Sequence, residues 1–227
     1  MQIIPALLVY TKEELEEQTK KVLPYFNHIA IDIADGLLVK DKTLDINQTI
    51  NVLQKISPNL GKELIVDFDL IVQDYKKVVS RFVELPQNIT IDTVIVRLNV
   101  ISKEEFLYLQ NSGKTFGIAL DPVDSVETID KKFGLNNLSV VQVLTIDPGA
   151  QGRPFQPEQL NKIEQLRVAG YRNKIFLDGS INDQTLPIIL SKKFRPDVLC
   201  IGSYFSKAGN LEENLKTINE LLRKNQP

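Results

Sequence analysis

Short apolar runs in this chain repeatedly end on a residue that can move a proton or hold a charge. Asp32 follows Ile29–Ala30–Ile31, Asp67 follows Leu64–Ile65–Val66, Arg97 follows Val94–Ile95–Val96, and Asp178 follows Ile175–Phe176–Leu177. Carboxyl groups that share a water-poor pocket have their pKa values raised by burial and by one another, which suits them to acid and base work near neutral pH. Arg97 stays charged and presents a planar fork of donors that fits a carboxylate, so it can compensate such a cluster. His28 is the only histidine, and imidazole is the commonest side chain for zinc binding and proton shuttling. Chemistry here must therefore rest mostly on carboxylates. Taken singly, Asp32, Asp35 and Asp178 read equally well as turn or cap residues, since Asp–Gly is a common turn pair. Their recurrence at the same level of successive runs favours a shared site.

A second set of residues suits an anion. Gly179–Ser180 and Gly202–Ser203 follow the last two apolar runs, where missing side chains let backbone amides approach a phosphate. Between them, Asp147–Pro148–Gly149–Ala150–Gln151–Gly152–Arg153–Pro154–Phe155 combines Gly149 and Gly152 with the cation Arg153. That composition fits a mobile lid over a charged substrate, with an ordinary surface loop as the plainer reading. His28 lies about 13 Å before Asp32 at about 3.3 Å per residue, which places it low in the structure in a structural role. Cys200 reads as a small buried residue, because no nearby histidine exists to activate it as a nucleophile.

The elements that must position these residues alternate. β-Branched runs at about 3–8, 28–33, 63–68, 93–97, 115–120, 139–144, 174–177 and 198–201 are separated by amphipathic stretches, the pattern of a parallel sheet with crossover helices. Thr11 with Glu14 and Ser102 with Glu105 predict capping boxes at two helix starts. Further helices are expected near 47–56, 73–82, 125–131, 157–169, 184–190 and 211–223, the last followed by Lys224–Asn225–Gln226. Repeated strand–helix units favour a closed (β/α)8 TIM barrel over a doubly wound open sheet.

The 227 residues, 43% hydrophobic and 25% charged, suit one α/β domain spanning 1–227. With 27 basic and 29 acidic residues there is no broad positive field for nucleic acid or an anionic membrane. The lone cysteine and the lack of a leader or long apolar run lead us to expect a cytoplasmic location. A small-molecule partner is expected, and a homo-oligomer is left open.

Gly117–Ile118–Ala119–Leu120–Asp121–Pro122, the long loop motif from Val143 through Phe155, and Lys162–Ile163–Glu164–Gln165–Leu166–Arg167 follow the order and spacing of the fifth and sixth units of the ribulose-phosphate 3-epimerase family. Asp32–Ile33–Ala34–Asp35–Gly36 and Leu177–Asp178–Gly179–Ser180 resemble its second and seventh units, so the similarity runs from about Pro5 to Gly202. The resemblance implies a TIM barrel that interconverts ribulose 5-phosphate and xylulose 5-phosphate by proton transfer at C3. Asp32 and Asp178 would be the acid/base pair, and Gly149, Gly152, Arg153, Gly179, Ser180, Gly202 and Ser203 would hold the phosphorylated substrate.

The chain departs from that family at its metal. The family's two histidine ligands align with Ala30 and Asp67, its strand-four histidine with Arg97, its methionines with Ala34, Asp69 and Leu144, and a serine with Val9. The remaining oxygen set, Asp32, Asp67 and Asp178, suits Mg2+ or Mn2+ better than Zn2+. Alternatively no metal binds, and Arg97 supplies the compensating charge. An active epimerase with an altered site is the first reading. The alternative is a catalytically silent barrel that binds a phosphorylated metabolite or a protein partner. Decarboxylase or aldol chemistry is disfavoured because no strand end carries a lysine.

Overall fold

The computed structural model describes residues 1–225. Its strands are β1 (Gln2–Leu7), β2 (His28–Ala34), β3 (Leu64–Ile71), β4 (Ile89–Arg97), β5 (Thr115–Leu120), β6 (Val140–Leu144), β7 (Lys174–Asp178) and β8 (Val198–Ile201). Each pairs in parallel with the next, and β1 pairs with β8, which closes the barrel and rules out the open sheet. The helices are α1 (Lys12–Val22), α2 (Ile46–Ile56), α3 (Tyr75–Ser80), α4 (Lys103–Gln110), α5 (Val126–Phe133), α6 (Asn161–Val168), α7 (Leu186–Leu190), α8 (Ser203–Ser206) and α9 (Leu211–Lys224). Asn225 caps α9, and Gln226 lies outside the described residues. No helix among the described residues is long and apolar enough to cross a membrane.

Local chemistry sets the helix starts. Both capping boxes form: Thr11 and Ser102 each accept from the amide three residues on, and Glu14 and Glu105 reach back to the cap amides. Such caps are worth about 1 kcal/mol each. Ile4, Ala6, Ala30, Ile95, Ala119, Val140, Leu144, Phe176, Val198 and Cys200 fill the barrel interior, and the larger apolar layer lies between strands and helices. Gly117 is required inside: a Cβ there would stand 2.6 Å from Ile95 Cδ1 and 2.9 Å from Val140 Cβ.

Two departures from the sequence expectation matter for function. β3 continues to Ile71, three residues past its expected end at Phe68, so the strand carries Asp67 well below the mouth and Asp69 up to it. β4 begins at Ile89 rather than near Thr93, and its pairing with β3 slips between Val66 and Phe68, so that Asp92 and Thr93 together oppose Asp67. This β-bulge was invisible in the sequence because a bulge is a property of the pairing, not of either strand. The short α8 was also unforeseen.

Candidate active site

The C-terminal ends of the strands open onto a cavity of about 550 Å3. Asp32 of β2, Asp69 of β3, Arg97 of β4 and Asp178 of β7 line it, as do Gly149, Gly152, Arg153, Gly179, Ser180, Gly202 and Ser203 from the loops. The structure thus brings together every sequence-expected site residue except Asp67. Asp67 is paired in register with Ala30, and its carboxylate faces His28 at 2.9 Å, toward the opposite end of the barrel. Asp69, in register with Asp32, takes the pocket position instead. Side chains alternate along a strand, so misplacing the end of β3 kept the correct face and lost the correct level.

Arg97 is the electrostatic centre. It is 2% exposed; its Nη2 donates to both oxygens of Asp69 at 2.9 and 2.8 Å, and its Nη1 to Asp121 Oδ1 at 3.2 Å. Gln142 adds a bond to Asp69 Oδ2 at 2.9 Å. Removing one partner of such a buried pair typically costs about 3–5 kcal/mol, because the other charge is left uncompensated. Burial pushes the Asp32 carboxyl well above the usual range, helped by the charges of Asp69 and Asp178 and opposed by Arg97. Burial, then Asp69, raises Asp178 to about 7, while Arg97 and the Gly179 amide pull it down. Both carboxyls are thus raised toward their protonated forms by burial and neighbouring charge, which suits them to acid and base work.

The family's metal does not fit this pocket. Asp69 commits both oxygens to Arg97 and Gln142. Among the described residues, the one group of imidazole and carboxylate atoms gathered closely enough to share an ion is His28, Asp67 and Asp92, away from this pocket. The expected set of Asp32, Asp67 and Asp178 is not assembled, since Asp67 belongs to the other end.

Around the far rim, Thr145 fixes the β7 loop. Its hydroxyl donates to the carbonyls of Gly179 at 2.6 Å and Asp178 at 3.0 Å. In a trans peptide the N–H points opposite to the carbonyl, so the Ser180 amide is turned away from Thr145. Gly179 has φ 115°, and a Cβ there would meet Thr145 Oγ1 and Ile146 Cγ1 at 2.9 Å, so only glycine fits. Ser180 follows with φ 49°. Lys207, one helical turn beyond Ser203, also lines the cavity, a cation that sequence reading missed because α8 was not foreseen. Gln142 was legible as a lone polar residue in the apolar run Val140–Val141–Gln142–Val143–Leu144.

The β6–α6 loop covers the mouth. Its base is tied by Gln156 N to Thr145 O at 2.7 Å, and the Ser180 hydroxyl donates to the Arg153 carbonyl. At its tip, Gly149 (φ 106°) rests against Val39, where a Cβ would stand 2.7 Å from Val39 Cβ.

Comparison with known proteins agrees with this architecture. Residues 2–205 match the profile of the Ribulose-phosphate 3 epimerase family. The chain is 26% identical over 223 residues to the ribulose-phosphate 3-epimerase of Methanocaldococcus jannaschii, covering 96% of this chain and 88% of that one. It is 25% identical over 201 residues to that of Buchnera aphidicola, covering 86% and 83%. Similar folds include 3-hexulose-6-phosphate synthase from Salmonella typhimurium (TM-score 0.63, 18% identity, all of both chains). Another is 3-keto-L-gulonate-6-phosphate decarboxylase from Vibrio cholerae (TM-score 0.65, 14% identity, 100% and 99% of the chains). With a match over nearly its whole length, the chain belongs to the ribulose-phosphate 3-epimerase family.

Proposed function

We propose that this pocket epimerises a small ketose phosphate, ribulose 5-phosphate and xylulose 5-phosphate by family, through Asp32 and Asp178 and without a metal. The observation that carries the reading is that both carboxyls line one cavity with raised pKa values, beside a buried arginine–aspartate pair. One ionised aspartate takes the proton from C3; the electron pair of that C–H bond moves into the enediolate spanning C2 and C3. The other aspartate, protonated and on the opposite face, returns a proton to C3. The pair ends with its protonation exchanged, ready for the reverse substrate. Arg97 supplies fixed positive charge beneath the enediolate, a role served by preorganised charge in a dry site. Gly179, Ser180, Gly202 and Ser203, with Arg153 and Lys207 nearby, receive the phosphate.

The test is exchange in deuterated water. Ribulose 5-phosphate incubated with the protein should gain deuterium at C3, and chelators should not slow it. Asp32→Asn and Asp178→Asn should each slow exchange by about 10²–10⁴, the usual worth of general acid–base catalysis. Exchange unaffected by both substitutions would overturn the assignment. The silent-barrel reading is favoured by one observation, the full engagement of Asp69 by Arg97 and Gln142. Binding of the sugar phosphate with no exchange would select it.

A further inference from the structure

At the N-terminal end of the barrel, opposite the pocket, β2, β3 and β4 bring His28, Asp67 and Asp92 together. One ligand atom from each lies within 4.8 Å of the others. His28 is 8% and Asp67 2% exposed, while Asp92 is partly buried. His28 Nε2 and Asp67 Oδ2 stand 2.9 Å apart, yet neither makes a hydrogen bond of acceptable geometry. At that separation a hydrogen bond fails only when the oxygen stands well off the in-plane direction of the ring nitrogen. Two buried polar atoms therefore face one small space as an ion pair that is poorly aligned as a hydrogen bond, an arrangement that a bound ion would satisfy better.

The surrounding structure is built toward that space. Asp92 is an even-numbered residue on a strand whose odd-numbered Ile95 and Arg97 face the barrel interior, so a regular β4 would turn it to the opposite face. The bulge opposite Asp67 brings it in beside Asp67 and His28. Thr93 N donates to Asp67 Oδ1 at 2.9 Å, leaving Oδ2 to face the histidine. Gln2 contacts His28 Nδ1 at 3.1 Å. In the structure it is the amide nitrogen, Gln2 Nε2, that stands at Nδ1; a half-turn of the amide presents its oxygen instead, accepts from Nδ1–H and leaves the imidazole Nε2 lone pair bare, the tautomer that a metal requires.

We propose that His28, Asp67 and Asp92 bind one divalent transition-metal ion of the zinc, cobalt or manganese class, tying β2, β3 and β4 at the barrel's lower rim. One imidazole nitrogen with carboxylate oxygens suits that class, and the ion offsets two carboxylate charges in a poorly solvated place. Ligand bonds of about 2.0–2.2 Å put neighbouring ligand atoms about 2.9 Å apart in octahedral and about 3.4 Å apart in tetrahedral coordination. The histidine–Asp67 spacing of 2.9 Å lies at the lower of these figures, and the partly exposed Asp92, within 4.8 Å of both, closes toward them on binding. A position at this end, away from the loops that carry chemistry, makes the ion a structural staple.

The chain's single histidine makes the test direct in untagged protein. Zn2+ is added to protein labelled with 15N, and the imidazole nitrogens are followed by NMR; Co2+ uptake is followed by its visible absorption. One equivalent of Zn2+ should shift Nε2 while Nδ1 stays protonated, and Co2+ should bind one per chain. Asp92→Asn, at a partly exposed position that should not prevent folding, should weaken Co2+ binding at least about tenfold, whereas Asp32→Asn in the pocket should leave it unchanged. An imidazole indifferent to Zn2+ in excess, or Co2+ affinity untouched by Asp92→Asn, overturns the proposal. Co2+ binding lost in Asp32→Asn and kept in Asp92→Asn overturns it too, and moves the ion to the pocket against the metal-free reading above.

Discussion

Arg97 and Asp178 carry most of what individual side chains contribute to the pocket. Arg97→Met keeps length and apolar bulk but strips the cation from Asp69, so unfolding by urea at pH 8 should show a loss of about 3–5 kcal/mol. Replacing Asp69 as well, in Arg97→Met/Asp69→Leu, should recover much of that loss, since an apolar pair leaves no charge unpaired. A single variant as stable as the parent would mean that Arg97 does not compensate Asp69. Asp178, raised to about 7 in the fold, gives a signed pH effect. Between about pH 4, where the unfolded carboxyl loses its proton, and about 7, the native state holds the proton and the unfolded chain does not. This group's contribution to stability is therefore full below about pH 4 and is lost as pH rises to about 7. Asp178→Asn cannot titrate, so its stability relative to the parent should climb across that window; a constant difference from pH 4 to 8 would refute the raised pKa.

At the scale of elements, the β6–α6 loop lines the mouth of the pocket. Gly149 needs both its positive φ and the missing Cβ, because Val39 occupies the space, whereas Gly152 (φ 80°) has nothing within 4 Å. Comparing Gly149→Ala with Gly152→Ala separates backbone strain from collision. Gly149→Ala should lower kcat/KM by a further tenfold to hundredfold or so, since displacement of a closing loop by about 1 Å can cost that much. Both variants carry the strain of a positive φ, roughly 1–3 kcal/mol, so collision with Val39 is read from the difference between them. Equal kinetics for the two would show that contact with Val39 does not matter to closure. The bulge in β4 is the matching device at the other end of the barrel: one extra residue against Asp67 gathers His28, Asp67 and Asp92.

For the molecule as a whole, closure of β1 on β8 separates two polar clusters by a plug of apolar residues that includes Ile4, Ala30, Ile95 and Phe176. The upper cluster holds charge in a cavity of about 550 Å3, a volume suited to one small metabolite. The lower one is nearly closed. Loops at the C-terminal ends can vary in such a barrel without loss of the scaffold, because strand interiors and helix faces carry the stability. This is why a synthase and a decarboxylase share the fold with this chain at 14–18% identity, and why fold alone does not decide the reaction.

The sequence by itself determined the alternation of strands and helices, both capping boxes, and most of the pocket, because these depend on local period and on motifs whose residues are near neighbours. Asp32, Arg97, Asp178 and the glycines after β6, β7 and β8 were all legible in this way. The level of β3 was not: Asp67 and Asp69 share a face, and only pairing with β2 and β4 fixes which of them reaches the mouth. Tertiary structure also decided that Arg97 and Gln142 bond Asp69 and that Lys207 lines the pocket. The union of His28 with Asp67 and Asp92, residues far apart in the chain, came from tertiary structure alone. A side chain's face is written in its own strand, but its height in the barrel is set by the register of its neighbours.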